Sequence, residues 1–321
     1  MTGSPWPEFV IEAVVGFVIA LVVGWVLLRL LARWQFRQTA YEDAPQTHQE
    51  KTGTPTMGGI AILAAIAVAW LVKRSAVTDA LAFVTFGCAA VGFIDDYLGI
   101  RRGSNAGMRA RTKFLATALV ATIFMRLIAG GETLFHTGTA ALTVPYWLWF
   151  ILGICAVVAT THAVNLTDGL DGLASGAIVP PLYVFWAIAI SMLVPHADRW
   201  PAMLPVAIGA CLGFLVYNRY PARIFMGDTG SLALGALLAG AAILEGEMLL
   251  LLVVGGLFVA EALSVMLQVA YYKATGGRRI FLMSPLHHHF ELAGWPERTV
   301  TLRFWLASVI CSVIGWAIAH V

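Results

Sequence analysis

The sequence predicts an all-α polytopic membrane protein of about ten transmembrane helices, and three observations carry that prediction. Of its 321 residues, 60% are hydrophobic and only 12% charged, and the mean hydropathy is +0.82. So much apolar surface cannot be hidden in soluble cores of this length. Apolar stretches long enough to cross a bilayer recur from end to end, separated by short polar connections. Lys and Arg are shared unevenly between alternate connections. No repeat, low-complexity tract or long linker interrupts the pattern, so residues 1–321 read as a single integral-membrane domain.

In chain order the candidate spans cover roughly residues 9–32, 56–72, 79–98, 114–130, 145–163, 173–194, 202–217, 231–244, 248–272 and 302–319. Before the first, Met1 to Glu8 has no Lys or Arg, so it lacks the basic start of a cleavable signal and the span is expected to stay. The second, seventh and eighth spans are short with Gly-rich ends, which suits tilted or half-buried helices. Connections after odd-numbered spans hold fourteen Lys and Arg, and the opposite side has four, Lys73, Arg74 and Arg199 in connections and Arg126 near the end of the fourth span. The positive-inside rule then places the odd connections in the cytoplasm and both termini outside, as an even span count requires. A net charge of +2 is too mild to argue for nucleic acid. Cys88, Cys155, Cys211 and Cys311 each sit singly in apolar sequence and read as small hydrophobes.

The unusual polar residues fall in the five odd connections. These hold Lys51 to Gly59 with Thr56, then Asp95-Asp96, then Asn165 to Gly172, then Phe225 to Ser231, and finally His287-His288-His289-Phe290-Glu291. Five loops converging on one face look like one assembled site. Asp95 and Asp96 end an apolar span, where ionised groups are costly unless paired, so they mark either the interface or a charge kept for chemistry. Asn165, Asp168 and Asp171, spaced by three, share a face on any helical turn and suit a diphosphate with its magnesium; Asx-turns are the plainer account. Asp228 reads equally as such a group or as a helix cap. The consecutive imidazoles are poor geometry for one metal ion and better as donors to phosphate, or as groups orienting an acid or base. Glu261 lies mid-span with Ser264 and Gln268 on its face, a brace for the bundle or a functional acid; Gln268, nearer the cytoplasm, is in reach of a ligand. P-loop, dinucleotide, nucleophile-elbow and zincin motifs are absent from the sequence.

Taken together, Asp-Asp, Asn-x-x-Asp-x-x-Asp-Gly and Met-Gly-Asp-x-Gly resemble the polyprenyl-phosphate N-acetylhexosamine-1-phosphate transferases. Lys-x-Gly-Thr-Pro-Thr-Met-Gly-Gly and His-His-His-Phe-Glu resemble the phospho-N-acetylmuramoyl-pentapeptide transferase branch. The resemblance implies a bacterial cytoplasmic-membrane enzyme with ten spans. Its expected reaction moves phospho-MurNAc-pentapeptide from UDP-MurNAc-pentapeptide to undecaprenyl phosphate, with magnesium, and it is expected to form a homodimer. It further implies that Asp228 holds magnesium and that Asp95 and Asp96 handle the lipid phosphate. By the same resemblance Lys51, Thr56, Asn165, Asp168, Asp171, Phe225 and Gln268 line the nucleotide and sugar pocket, with His287, His288 and His289 contacting phosphates or sugar. Where the family often has Lys four places after the first Asp of the pair, this chain has Gly99, and Lys113 is the expected substitute. Asp43-Ala44-Pro45 stands where the family often has Asp-Gly-Pro. The rivals are a sister transferase using UDP-GlcNAc and, from another class, an ion-coupled transporter, which calls for midplane charges and inverted repeats.

Overall fold

The computed structural model describes residues 5–34, 53–103, 107–129, 134–137, 140–191 and 200–320. Lys51, and with it the start of the first polar loop, lies outside the described residues, as does Asp43-Ala44-Pro45. The helices are α1 (Trp6–Trp34), α2 (Gly59–Val72), α3 (Ala76–Arg102), α4 (Ala110–Leu127) and α5 (Tyr146–Thr167). They continue as α6 (Leu173–Ala177), α7 (Val179–Ser191), α8 (Met203–Asn218), α9 (Gly227–Leu244) and α10 (Leu251–Val254). The chain ends with α11 (Gly256–Ala274), α12 (Leu286–Leu292) and α13 (Glu297–Ala319). Every expected span contains helix, and the sixth and ninth are each divided, at Ile178 and at Gly255. Pro180 and Pro181 fall in the first turn of α7, where a missing N–H costs nothing.

Two points differ from the sequence reading. Leu134–Thr137 and Ala140–Thr143 pair as a short antiparallel hairpin between α4 and α5, so the fold is helical apart from this one ribbon among the described residues. Seven described helical stretches are long and apolar enough to cross a membrane by length and composition. The helices outside that count have visible reasons: α2 has 14 residues, α8 has 16, and α4 carries Arg111, Lys113 and Arg126. The chain is a multi-pass membrane protein. Its outward faces confirm the solvent: Ile11, Val22, Leu115, Met266, Leu306 and Val313 are among many large apolar side chains more than half exposed, an arrangement tolerable only in lipid.

At the centre stands α9, packed by α3, α5 and α2 and buried along nearly its whole length. It sits close to α3 because Gly92 has no Cβ; one there would overlap the Asp228 carbonyl oxygen. The first turn of α9, the C-terminal ends of α3 and α5 and the start of α4 all lie at one end of the bundle, the site end, as their side-chain contacts show, and α12 joins them through His287 against Gly169. At the far end α3 begins with a capping box, Ser75 with Thr78, and Asp79 accepts from Trp70 and Arg74. Glu245 and Glu247, which follow α9 there, have buried carboxylates with no hydrogen-bond partner among the described residues; burial raises both acids, Glu247 to about 7.

Candidate active site

The site is built on the first turn of α9. Its unbonded N–H groups want an acceptor, and Asp96 at the end of α3 supplies one from another helix. The Asp96 carboxylate accepts from the Asp228 N–H (3.0 Å), the Thr229 N–H (2.9 Å) and the Thr229 hydroxyl (2.6 Å). Asp96 therefore acts as a cap in trans, and what it fixes is the position of Asp228.

One helical step away, Asp95 points elsewhere. Its Oδ1 accepts the Met108 N–H at 2.8 Å and lies 3.1 Å from Lys113 Nζ. Lys113 also reaches Asp228 Oδ2 at 2.5 Å, so one ammonium holds the two carboxylates together. Asn165 completes the hold on Asp228, its Nδ2 donating to Asp228 Oδ1 at 2.8 Å and to Ser231 Oγ at 2.9 Å. The side chains of Asp95, Lys113 and Asp228 remain 12–22% exposed, reachable by a solute yet poorly screened by water. Close by, desolvation pushes the Asp168 carboxyl well above the usual carboxylate range, and the charges of Asp228, Asp96 and Asp171 push the same way.

The first polar loop is stitched to this turn. Phe225 donates to the Pro55 carbonyl, while Gly58 and Gly59 donate to the carbonyls of Phe225 and Met226, all at 2.8–2.9 Å. Met57 turns the loop into α2 at φ +71°, a left-handed conformation costing a non-glycine residue about 1–3 kcal/mol. Buried Thr56 has its hydroxyl against Gly227, as does the Asp96 carboxylate.

No three His, Cys, Asp or Glu side chains form a metal cage among the described residues. Magnesium does not need one: it commonly takes one or two carboxylates and completes its shell with water and substrate phosphates. The donor set fits that case, because Asp228 and Asp95 share a single lysine and Asp168 adds a carboxyl near enough to feel the charge of Asp228.

Comparison with known proteins gives this geometry a family. Residues 78–246 match the model of glycosyl transferase family 4, and residues 51–63 match the phospho-N-acetylmuramoyl-pentapeptide-transferase signature 1. A phospho-N-acetylmuramoyl-pentapeptide-transferase of Desulforamulus reducens is 45% identical over 95% of this chain and 94% of its own length. Those of Desulforudis audaxviator and Acetivibrio thermocellus are 43% and 41% identical, covering 96% and 94% of this chain and 97% and 93% of their own lengths. The chain belongs to the phospho-N-acetylmuramoyl-pentapeptide-transferase family.

Within this family member the expected residues divide into two groups. Asp95, Lys113, Asn165 and Asp228 meet directly, with Asp168 close enough to feel the charge of Asp228. Others make contacts within the fold. Gln268, expected to reach a ligand, spends its amide on the backbone of the loop after α11: Oε1 accepts from Ile280 and Phe281, and Nε2 donates to the Phe281 carbonyl. Asp171 is buried, accepting the Ala222 N–H at 2.8 Å while its own N–H donates to Glu297. The three imidazoles, carried on α12, have three different tasks. His287 is fully buried with Nδ1 3.2 Å from Glu261, which makes Glu261 a brace, and its ring lies so close to Gly169 that a Cβ there would overlap Nε2. His288 pairs with Glu291 at 2.9 Å. His289 accepts the Leu282 N–H at 3.1 Å.

Sequence reasoning missed His162, whose ring stacks on Phe114 and bonds Thr117 at 3.1 Å, next door to Lys113. The available signal was its place three residues before Asn165, on the same helix face. Thr229 and Ser231 stood within the quoted motif, but nothing in their spacing said that one bonds Asp96 and the other Asn165.

Proposed function

We propose that the protein transfers phospho-MurNAc-pentapeptide from UDP-MurNAc-pentapeptide to undecaprenyl phosphate, releasing UMP and forming lipid I, the first membrane step of peptidoglycan synthesis. The observation that carries the reading is the Asp95–Lys113–Asp228 bridge at the first turn of α9, held by Asn165 and supported from behind by Asp96. An oxygen of the lipid phosphate attacks the sugar-linked phosphorus of the donor, and the bond to the UMP oxygen breaks. Lys113 and the N-terminal turn of α9 favour the negative charge that gathers on the transferring phosphoryl group. Asp95, nearest the start of α4, either takes a residual proton from the lipid phosphate or attacks phosphorus itself in a two-step route. Asp228 is our assignment for the magnesium carboxylate; when bound, magnesium supplies positive charge to the donor diphosphate and the leaving UMP.

The same proposal sets the protein in the bacterial cytoplasmic membrane. With α6–α7 and α10–α11 each counted once and the seven-residue α12 left out, ten helical stretches are read as ten crossings, both termini outside and the site end in the cytoplasm. The excess of Lys and Arg in the connections at that end supports this orientation. Purified protein with magnesium and undecaprenyl phosphate is expected to release UMP from UDP-MurNAc-pentapeptide and not from UDP-GlcNAc, read by coupled UMP detection. UMP from UDP-GlcNAc at a comparable rate would assign the sister activity, and UMP from neither would remove the enzyme.

A further inference from the structure

The site end holds a second concavity, which none of Asp95, Lys113, Asn165, Asp168 or Asp228 lines. It is a cavity of about 650 Å³ between the end of α8, the start of α13 and the loop that follows α5, lined by Arg219, Arg223, Arg298, Asp171, Tyr220 and Trp305 among others. That volume falls in the roughly 300–1,000 Å³ range of ligand pockets. Its charge is lopsided. Arg219, Arg223 and Arg298 are exposed, and no described carboxylate lies within ion-pair distance of any of them. The one acid in the lining, Asp171, is buried and occupied by the Ala222 N–H. The Arg223 guanidinium donates to the Val216 carbonyl, at 3.3 Å, and lies over the Tyr217 ring.

The apolar part of the lining identifies the occupant's other half. Val216 and Leu302 also line the cavity, and with Tyr220 they are 36–52% exposed, continuing the lipid-facing surfaces of α8 and α13. Guanidinium groups above an apolar wall, at the level where helices leave the bilayer, match a phosphate attached to acyl chains. We propose that this pocket binds the phosphodiester headgroup of an anionic phospholipid of the inner leaflet; the leaflet rests on the orientation given under the proposed function.

Such a lipid would buttress the catalytic loop. The α13 helix grips that loop through Trp305, which donates to the carbonyls of Gly172 and Leu173 at 3.2 Å, and through Glu297, which accepts the Asp171 N–H at 2.9 Å. A headgroup shared by Arg219 and Arg298 ties the end of α8 to the start of α13 across the residues that follow Asp168.

The test is native mass spectrometry of the full-length protein released from mixed micelles of phosphatidylglycerol and phosphatidylcholine. The wild type is expected to retain phosphatidylglycerol selectively. Arg219→Gln with Arg298→Gln lowers that preference about thirtyfold, from two interfacial cations, whereas Arg219→Lys with Arg298→Lys keeps most of it. Equal retention by the wild type and the glutamine pair overturns the proposal. Displacement of the lipid by millimolar inorganic phosphate or by the soluble nucleotide donor also overturns it, assigning the pocket to a free anion or to the donor. Retention is read without turnover, so absence of UMP release would count against the proposed reaction alone.

Discussion

Replacing Asp228 with Asn lowers kcat about 10³-fold while leaving the melting temperature close to that of the wild type. The shape of the side chain is preserved, and Asn165 retains an acceptor in the new amide oxygen. What disappears is the charge that faces Lys113 and that we assign to magnesium. Because the loss falls on groups used only as charge builds at phosphorus, kcat and kcat/KM fall together. A variant that turns over within tenfold of the wild type, still dependent on magnesium, would take Asp228 out of the chemistry.

Asp96→Ala has the second large effect, for a different reason. Three donors at the start of α9, the Asp228 and Thr229 N–H groups and the Thr229 hydroxyl, lose their acceptor. Caps and hydrogen bonds to charged acceptors put the cost at about 2 kcal/mol of stability. Displacement of Asp228 costs about 10²-fold in kcat, since small misplacements of a reacting group are expensive. Asp96→Asn, which keeps one acceptor oxygen, falls between the two. The split between constants decides the role: a positioning residue lowers kcat with KM for undecaprenyl phosphate unchanged. A residue that holds the lipid phosphate, as the sequence implied for both aspartates, would raise that KM instead.

That contrast shows where sequence reading stops. Hydropathy placed a candidate span on each of the seven described stretches long and apolar enough to cross a membrane, because lipid imposes one rule on all of them. The break at Gly255 and the helical start at Gly227 rather than 231 depend on local backbone geometry and were not visible. Motif residues were legible as a set, since five loops carried them. Their division of labour was not. Asp95 and Asp96 are adjacent in sequence, yet a helix turns neighbours about 100° apart, so one meets Lys113 and the other caps α9. Gln268 and Glu261 lie on one face of α11, as their spacing says, but what they face is the loop after α11 and His287, contacts between elements that no local pattern records. Lys113 is the reverse case: expected as the substitute for a lysine missing at Gly99, it stands between the two carboxylates.

Residues from loops far apart in sequence meet at one end of the bundle, and the proposed orientation puts that end in the cytoplasm. Labelling with a membrane-impermeant thiol reagent tests it directly, in a background where the four native cysteines are replaced by Ala. Arg101→Cys, at the end of α3, and Arg278→Cys, between α11 and α12, mark the site end; Arg74→Cys marks the far end. The account predicts that Cys at 101 and 278 react in inside-out vesicles and not in intact cells, with Cys at 74 showing the opposite pattern. Reaction of positions 101 and 278 from opposite sides of the membrane would contradict it.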